Sequence, residues 1–209
     1  MKQRMIICGA LVLLIFAAHA PALRATFVWD DTALVLRDPL IRSWRLIPEG
    51  FQHFLFVDAT PSNFYRPIQR LTYTLEYWAF AFHPAPYHLT NIVLHAVTAI
   101  ALFIFAFAFL RLYQVDERKS LGVAAIASLA WALHPLHSGV VDYVAGRADS
   151  LAALFGFTAL YFTVRALGQE SAWKFHAIAG FALLASALSK ESGLIFSALA
   201  IALILLRKN

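Results

Sequence analysis

Six apolar stretches run along the chain, at residues 5–23, 87–110, 121–141, 150–167, 175–188 and 193–206. A helix that crosses the hydrocarbon core needs roughly 20 mostly apolar residues, with a working range of about 17–25. Four stretches meet that length and the last two fall a little short. The pattern predicts an all-α polytopic membrane protein with about six transmembrane helices. The first stretch, with Lys2 and Arg4 before its middle and Ala18-His19-Ala20 at its end, also outlines a secretory signal peptide. Pro21, directly after the would-be cleavage point, favours a retained helix. Residues 24–86 are too long for a simple connection and form an extracytoplasmic first loop with a function of its own. Within this loop, residues 65–82 read as an interfacial helix with Pro67 in its first turn. Ile68, Leu71, Leu75 and Phe82 make one stripe of that helix, and Arg66, Arg70, Tyr73 and Tyr77 another.

Composition fixes the class. The chain has 209 residues, of which 61% are hydrophobic and 14% charged, against about 45–50% and 25% in soluble domains. This excludes a soluble globule, a disordered tail and a collagen-like fibre. A single cysteine, Cys8, excludes an intramolecular disulfide or a cysteine metal cluster. The net charge of +5 is explained by positive-inside topology, with the lipid bilayer rather than nucleic acid as the partner. With the N-terminus in the cytoplasm, Lys2, Arg4, Arg111, Arg118, Lys119, Arg165, Lys174, Arg207 and Lys208 fall inside, in short segments flanking the spans. Among the acidic residues only Asp116, Glu117 and Glu170 join them, so the remaining polar chemistry collects on the outer face.

Candidate chemistry follows from that sidedness. Asp30 and Asp31 sit where the first helix emerges, as a base for an acceptor hydroxyl or as metal ligands, or simply as a helix cap ahead of Thr32. Arg147 and Lys190, with Arg66, form a possible cationic pocket for a phosphate, because the arginine fork binds phosphate oxygens in pairs. The plain alternatives are lipid-facing Arg147, a helix-capping Asp149 and a local Lys190–Glu191 pair. His134 and His137 are three apart, but Pro135 between them argues for a turn rather than a metal site. Asn91 and His95 share a face of the second span and suit a helix–helix hydrogen bond. The middles of the spans, at Leu14, Thr98, Ala130, Thr158, Ala182 and Ala200, carry no ionisable group. That weighs against an ion-coupled carrier.

Taken in order, five pieces form a pattern: Phe27-Val28-Trp29-Asp30-Asp31 with Asp38-Pro39-Leu40-Ile41, then Tyr65-Arg66-Pro67, Tyr87-His88-Leu89-Thr90-Asn91 with His95, the segment from Ala132 to Asp149 holding His134, His137 and Arg147, and Ser189-Lys190-Glu191-Ser192-Gly193. The pattern resembles the GT-C membrane glycosyltransferases, most nearly the transmembrane tetratricopeptide-repeat O-mannosyltransferases and their bacterial relatives, from about Phe27 to Gly193. The resemblance implies transfer of a mannose-like sugar from a polyprenyl-phosphate-linked donor to an extracytoplasmic hydroxyl of a protein or glycan acceptor. It implies Asp30 as the base, with Asp31 supporting or replacing it. By charge and side, Arg147 and Lys190 are expected at the donor phosphate, with Arg66 or Arg70 as second choice. Glu191, Asp149, His134, His137, Tyr65, Asn91 and His95 are expected in support. No cofactor is expected, a divalent metal being a minor alternative.

Members of that family continue through further membrane helices and a run of tetratricopeptide repeats, whereas no 34-residue period occurs in this chain. The expectation is a single module over residues 1–209, either a piece of a longer protein cut short at its C-terminus or a minimal module inactive on its own. Its alternatives are a non-catalytic scaffold or lipid-binding module on the same fold, and, third, a transporter. Asn63 begins no glycosylation sequon, and a bacterial cytoplasmic membrane is preferred over an endoplasmic reticulum membrane.

Overall fold

The computed structural model describes residues 2–57, 63–169 and 172–208. Glu170, expected on the inner side, lies outside the described residues, as do residues 58–62 of the first loop. Among the described residues every regular element is helical. The long helices are α1 (Lys2–His19), α2 (Pro67–Phe80), α3 (Pro84–Leu112), α4 (Glu117–Ala132), α5 (Arg147–Leu167), α6 (Trp173–Ser189) and α7 (Ile195–Lys208), joined by short helical turns. The protein is an all-α membrane protein.

Each apolar stretch forms a helix, but six stretches do not make six full spans. Three helical segments, Lys2–Arg24, Pro84–Leu112 and Val144–Leu167, are long and apolar enough to cross a membrane alone. The stretch expected at 121–141 breaks: α4 ends at Ala132 and the chain resumes at Pro135–Val141 after a bend of 50°. Pro135 is the cause. A residue before proline is driven out of the helical region, and His134 is extended, at φ −66° and ψ 131°. This bent pair counts as a fourth span only if taken as one crossing. The helices α6 and α7, with 17 and 14 residues, fall short of the roughly 20 residues of a typical spanning helix. Among the described residues, the number of membrane-capable helices is therefore three to four.

Helix boundaries follow local chemistry. Pro67 and Pro84 open α2 and α3 at positions whose N–H groups have no helical partner to lose. Asp116 caps α4, its carboxylate accepting from Arg118 N and Lys119 N at 3.0 and 3.1 Å. Packing centres on α5, which lies against α3, α6 and α7, while α3 in turn carries α1 and α4. Gly156 allows a close approach of α7 to α5, because a Cβ there would lie 2.3 Å from the Phe196 ring.

The first loop folds back on the bundle. Leu34, Val35, Ile41 and Leu55 are buried against Tyr73 of α2, Tyr87 of α3 and Val144 of the turn before α5. Helix α2 runs over Pro67–Phe80, two residues shorter at each end than the expected 65–82 but with Pro67 in its first turn, and its faces are the reverse of a soluble helix. Gln69, Arg70, Tyr73, Thr74 and Glu76 point inward, while Leu75, Trp78 and Phe80 are exposed. An apolar outer face on a polar inner one is what a helix lying against lipid requires.

Candidate functional site

The site is built where the first loop, the Tyr143–Gly146 turn, the start of α5 at Asp149 and Lys190 just after α6 converge. Trp29 takes a left-handed backbone conformation at φ 47°, unusual for a bulky residue, and this turn separates the two carboxylates that follow. Asp31 is turned inward and fully buried. It sits at the head of the Thr32–Arg37 turn, yet its side chain caps nothing there. Instead Oδ1 accepts from Ala145 N at 2.7 Å and Oδ2 from Val28 N at 3.3 Å. Burial pushes its carboxyl up to about 6, against the pull of these backbone hydrogen bonds. Asp30 is exposed, and its backbone N–H donates to the Tyr143 hydroxyl at 3.0 Å. Tyr143 also packs edge-on against Trp29, ring centres 6.0 Å apart, and burial raises its phenol to about 12, so the hydroxyl keeps its proton.

Asp30 faces a cleft of about 860 Å³ whose lining includes Tyr143, Arg66, Asp149, Lys190 and Asn63. The two cations of this cleft are held by carboxylates. Lys190 Nζ donates to both oxygens of Asp149 at 2.6 Å. Arg66 donates to Glu191 through Nε at 3.1 and 3.2 Å and through Nη2 at 2.8 Å. Glu191 is pulled up by burial, but the bonds from Arg66 outweigh this and hold it below the usual value. The Lys190 and Arg66 side chains keep 26% and 15% of their surface exposed, enough for a ligand to reach them. Lys190 thus pairs with Asp149, not with its neighbour Glu191.

Two other arginines are differently employed. Arg147 is fully buried, and an arginine has five N–H donors. Nε donates to Asn91 Oδ1, Nη1 to Thr72 Oγ1 and Glu76 Oε2, and Nη2 to Glu76 Oε1 and Tyr87 O. None is left for a phosphate. Arg70 is saturated too, donating to Asp38, Gly50, His53, Phe54 and Leu55. It ties the first loop to α2 from within.

The remaining residues support the walls. Asn91 donates to Tyr143 O at 2.9 Å and so links α3 to the turn that carries Tyr143. His95 Nε2 donates to Ala132 O at 2.9 Å. Tyr65 donates to Phe51 O at 2.7 Å, closing the loop before α2. His134 accepts from Leu136 N, and His137 stacks near Trp131 and His95 with ring centres 4.4 and 4.9 Å away. Among the described residues no three His, Cys, Asp or Glu side chains gather as a metal-ligand set. Sequence reading missed Tyr143 and Glu76. The signal for Glu76 was its being a lone carboxylate amid the apolar residues of α2, and for Tyr143 its place in the same turn as Arg147.

Several known proteins are similar to the chain. Protein O-mannosyl-transferase TMTC1 of Mus musculus is 29% identical over 174 residues, 78% of this chain and 18% of that protein. Protein O-mannosyl-transferase TMTC3 of Homo sapiens is 30% identical over 186 residues, 85% of this chain and 19% of its own length. Protein O-mannosyl-transferase F38B6.6 of Caenorhabditis elegans is 25% identical over 91% of the chain. The chain spans about a fifth of the length of the first two. No family model matches it, and neither does any solved structure. Over most of its length the chain is similar to the protein O-mannosyl-transferases, in line with the resemblance its motifs carry.

Proposed function

We propose that this chain is the sugar-transfer module of an O-mannosyltransferase, acting at the cleft on an extracytoplasmic face with the N-terminus in the cytoplasm. The donor is a mannose-like sugar on a polyprenyl phosphate and the acceptor a protein hydroxyl. The observation that carries this reading is the exposed Asp30 carboxylate in one cleft with the partly exposed cations Lys190 and Arg66. The relatives' name, protein O-mannosyl-transferase, supports the sugar and the protein acceptor.

The chemistry divides between the two sides of the cleft. The acceptor oxygen forms a bond to the sugar's anomeric carbon while the bond from that carbon to the phosphate oxygen breaks, its electron pair leaving on the phosphate. Asp30 takes the acceptor proton. Lys190 and Arg66 neutralise the charge that grows on the departing phosphate. Asp149 and Glu191 hold these cations in place until the phosphate arrives. Asp31 and Tyr143 are positioning residues: one anchors the turn beneath Asp30, the other fixes its backbone. Arg147 and Arg70 keep the walls in place through Glu76 and Asp38.

The test is transfer from a polyprenyl-phosphate mannose to an acceptor peptide by the full chain, with Asp30→Asn beside wild type. A general base contributes about 10²–10⁴-fold. Transfer is expected to fall by at least about 100-fold, with donor binding and unfolding temperature unchanged. Equal turnover by Asp30→Asn would remove Asp30 as the base. Wild-type donor binding without transfer would favour a lipid-binding module on the same fold.

A further inference from the structure

At the far end of the bundle lies a second cavity, of about 370 Å³, which Arg4 of α1, Arg111 of α3 and Arg165 of α5 all line. Arg147 and Arg165 stand eighteen residues apart on α5, so at a rise of about 1.5 Å per residue the two ends are separated by about 27 Å. We propose that this cavity binds the phosphate headgroup of an anionic phospholipid.

Three observations converge. The first is convergence itself: three guanidiniums from three different helices share one concavity. The second is how few of their donors the protein uses. Among the described residues, Arg4 gives one hydrogen bond, to Glu117 at 2.9 Å; Arg111 gives one, to Val115 O; Arg165 gives one, to the Tyr161 hydroxyl at 3.0 Å. Arg147 and Arg70 each satisfy all five donors on protein atoms. The third is the shape of the walls. Phe107, which Arg4 covers at 4.1 Å, and Ile104, one turn deeper, continue the cavity into the apolar side of α3. A headgroup phosphate can therefore sit among the guanidiniums while its acyl chains follow α3.

Local charge favours the anion. In the sequence, the acidic residues of this side, Asp116, Glu117 and Glu170, are outnumbered by Lys2, Arg4, Arg111, Arg118, Lys119, Arg165 and Lys174. The Arg4–Glu117 pair is half-exposed, with side chains 46% and 60% accessible, and such pairs open at little cost. Basic pockets between membrane helices commonly take acidic headgroups, and forked phosphate contacts are what arginine provides.

The experiment is native mass spectrometry of the full chain released from nanodiscs of phosphatidylcholine with 10 mol % phosphatidylglycerol, set beside Arg111→Gln/Arg165→Gln and Arg111→Lys/Arg165→Lys. Wild type is expected to retain phosphatidylglycerol over phosphatidylcholine well beyond the about 1:9 ratio supplied, a preference of about tenfold or more. The glutamine pair should lose that preference and the lysine pair keep part of it, each with the helical content of wild type. Equal retention of the two lipids, or an unchanged preference in the glutamine pair, would overturn the proposal. Inorganic phosphate at millimolar concentration that displaces the lipid in wild type would also overturn it, in favour of a soluble phosphate ligand.

Discussion

Five donors on five acceptors decide what an arginine can do, and here they sort the arginines by role. Arg147 is buried with its full complement engaged, two of the bonds to Glu76. Removing one partner of a buried pair leaves the other charge stranded and costs about 3–5 kcal/mol. Arg147→Gln is expected to lower stability by that amount in denaturant unfolding, while Arg66→Gln, which leaves a half-exposed and solvated Glu191 carboxylate, should cost about 1 kcal/mol. Asp31 gives a pH signature. Its folded carboxyl titrates near about 6 against an ordinary 3.8, so between these values the folded state binds the proton more tightly than the unfolded state does. The stability this group contributes is complete below pH 3.8 and is lost as pH rises through about 6. Unfolding of wild type minus Asp31→Asn, followed from pH 3.5 to pH 7.5, should show that decline; a flat difference would contradict the burial argument. The sequence makes the charges and their side of the membrane legible. It does not make burial legible, because the partner that claims Arg147, Glu76, stands 71 residues away.

At the scale of elements, apolar length and proline placement account for most of what is seen. The six stretches are all helical, and Pro67 starts α2 as its position requires. Pro135 breaks the third stretch, a result readable from the proline rule although apolar length alone argues for a continuous span. The inward polar face of α2 was not readable, since the stripes of an interfacial helix are the same whichever side the protein occupies. The turn before α5 adds a constraint of its own. A Cβ on Gly146 would lie 2.6 Å from the carbonyl oxygens of Gly139 and Val140, backbone that cannot swing aside. Gly146→Ala is expected to destabilise by about 1–3 kcal/mol and to loosen Tyr143, which lies in the same turn. Its unfolding temperature measures the first effect, and donor binding the second.

Seen as a whole, the molecule separates its polar chemistry into two ends joined by apolar helices. One end carries a carboxylate, two accessible cations and the carboxylates that hold them. The other carries arginines with most donors uncommitted. The account stands or falls on the first end being the donor site. Its most direct test is the affinity of the purified full chain for a polyprenyl-phosphate mannose, with Lys190→Gln, Arg66→Gln and Arg165→Gln measured in parallel. Loss of one charge-assisted hydrogen bond is worth about 1.5 kcal/mol or more, which is about tenfold in Kd. Lys190→Gln and Arg66→Gln should each weaken binding by at least about tenfold and Arg165→Gln should leave it unchanged. Undiminished affinity in both cleft variants would contradict the account.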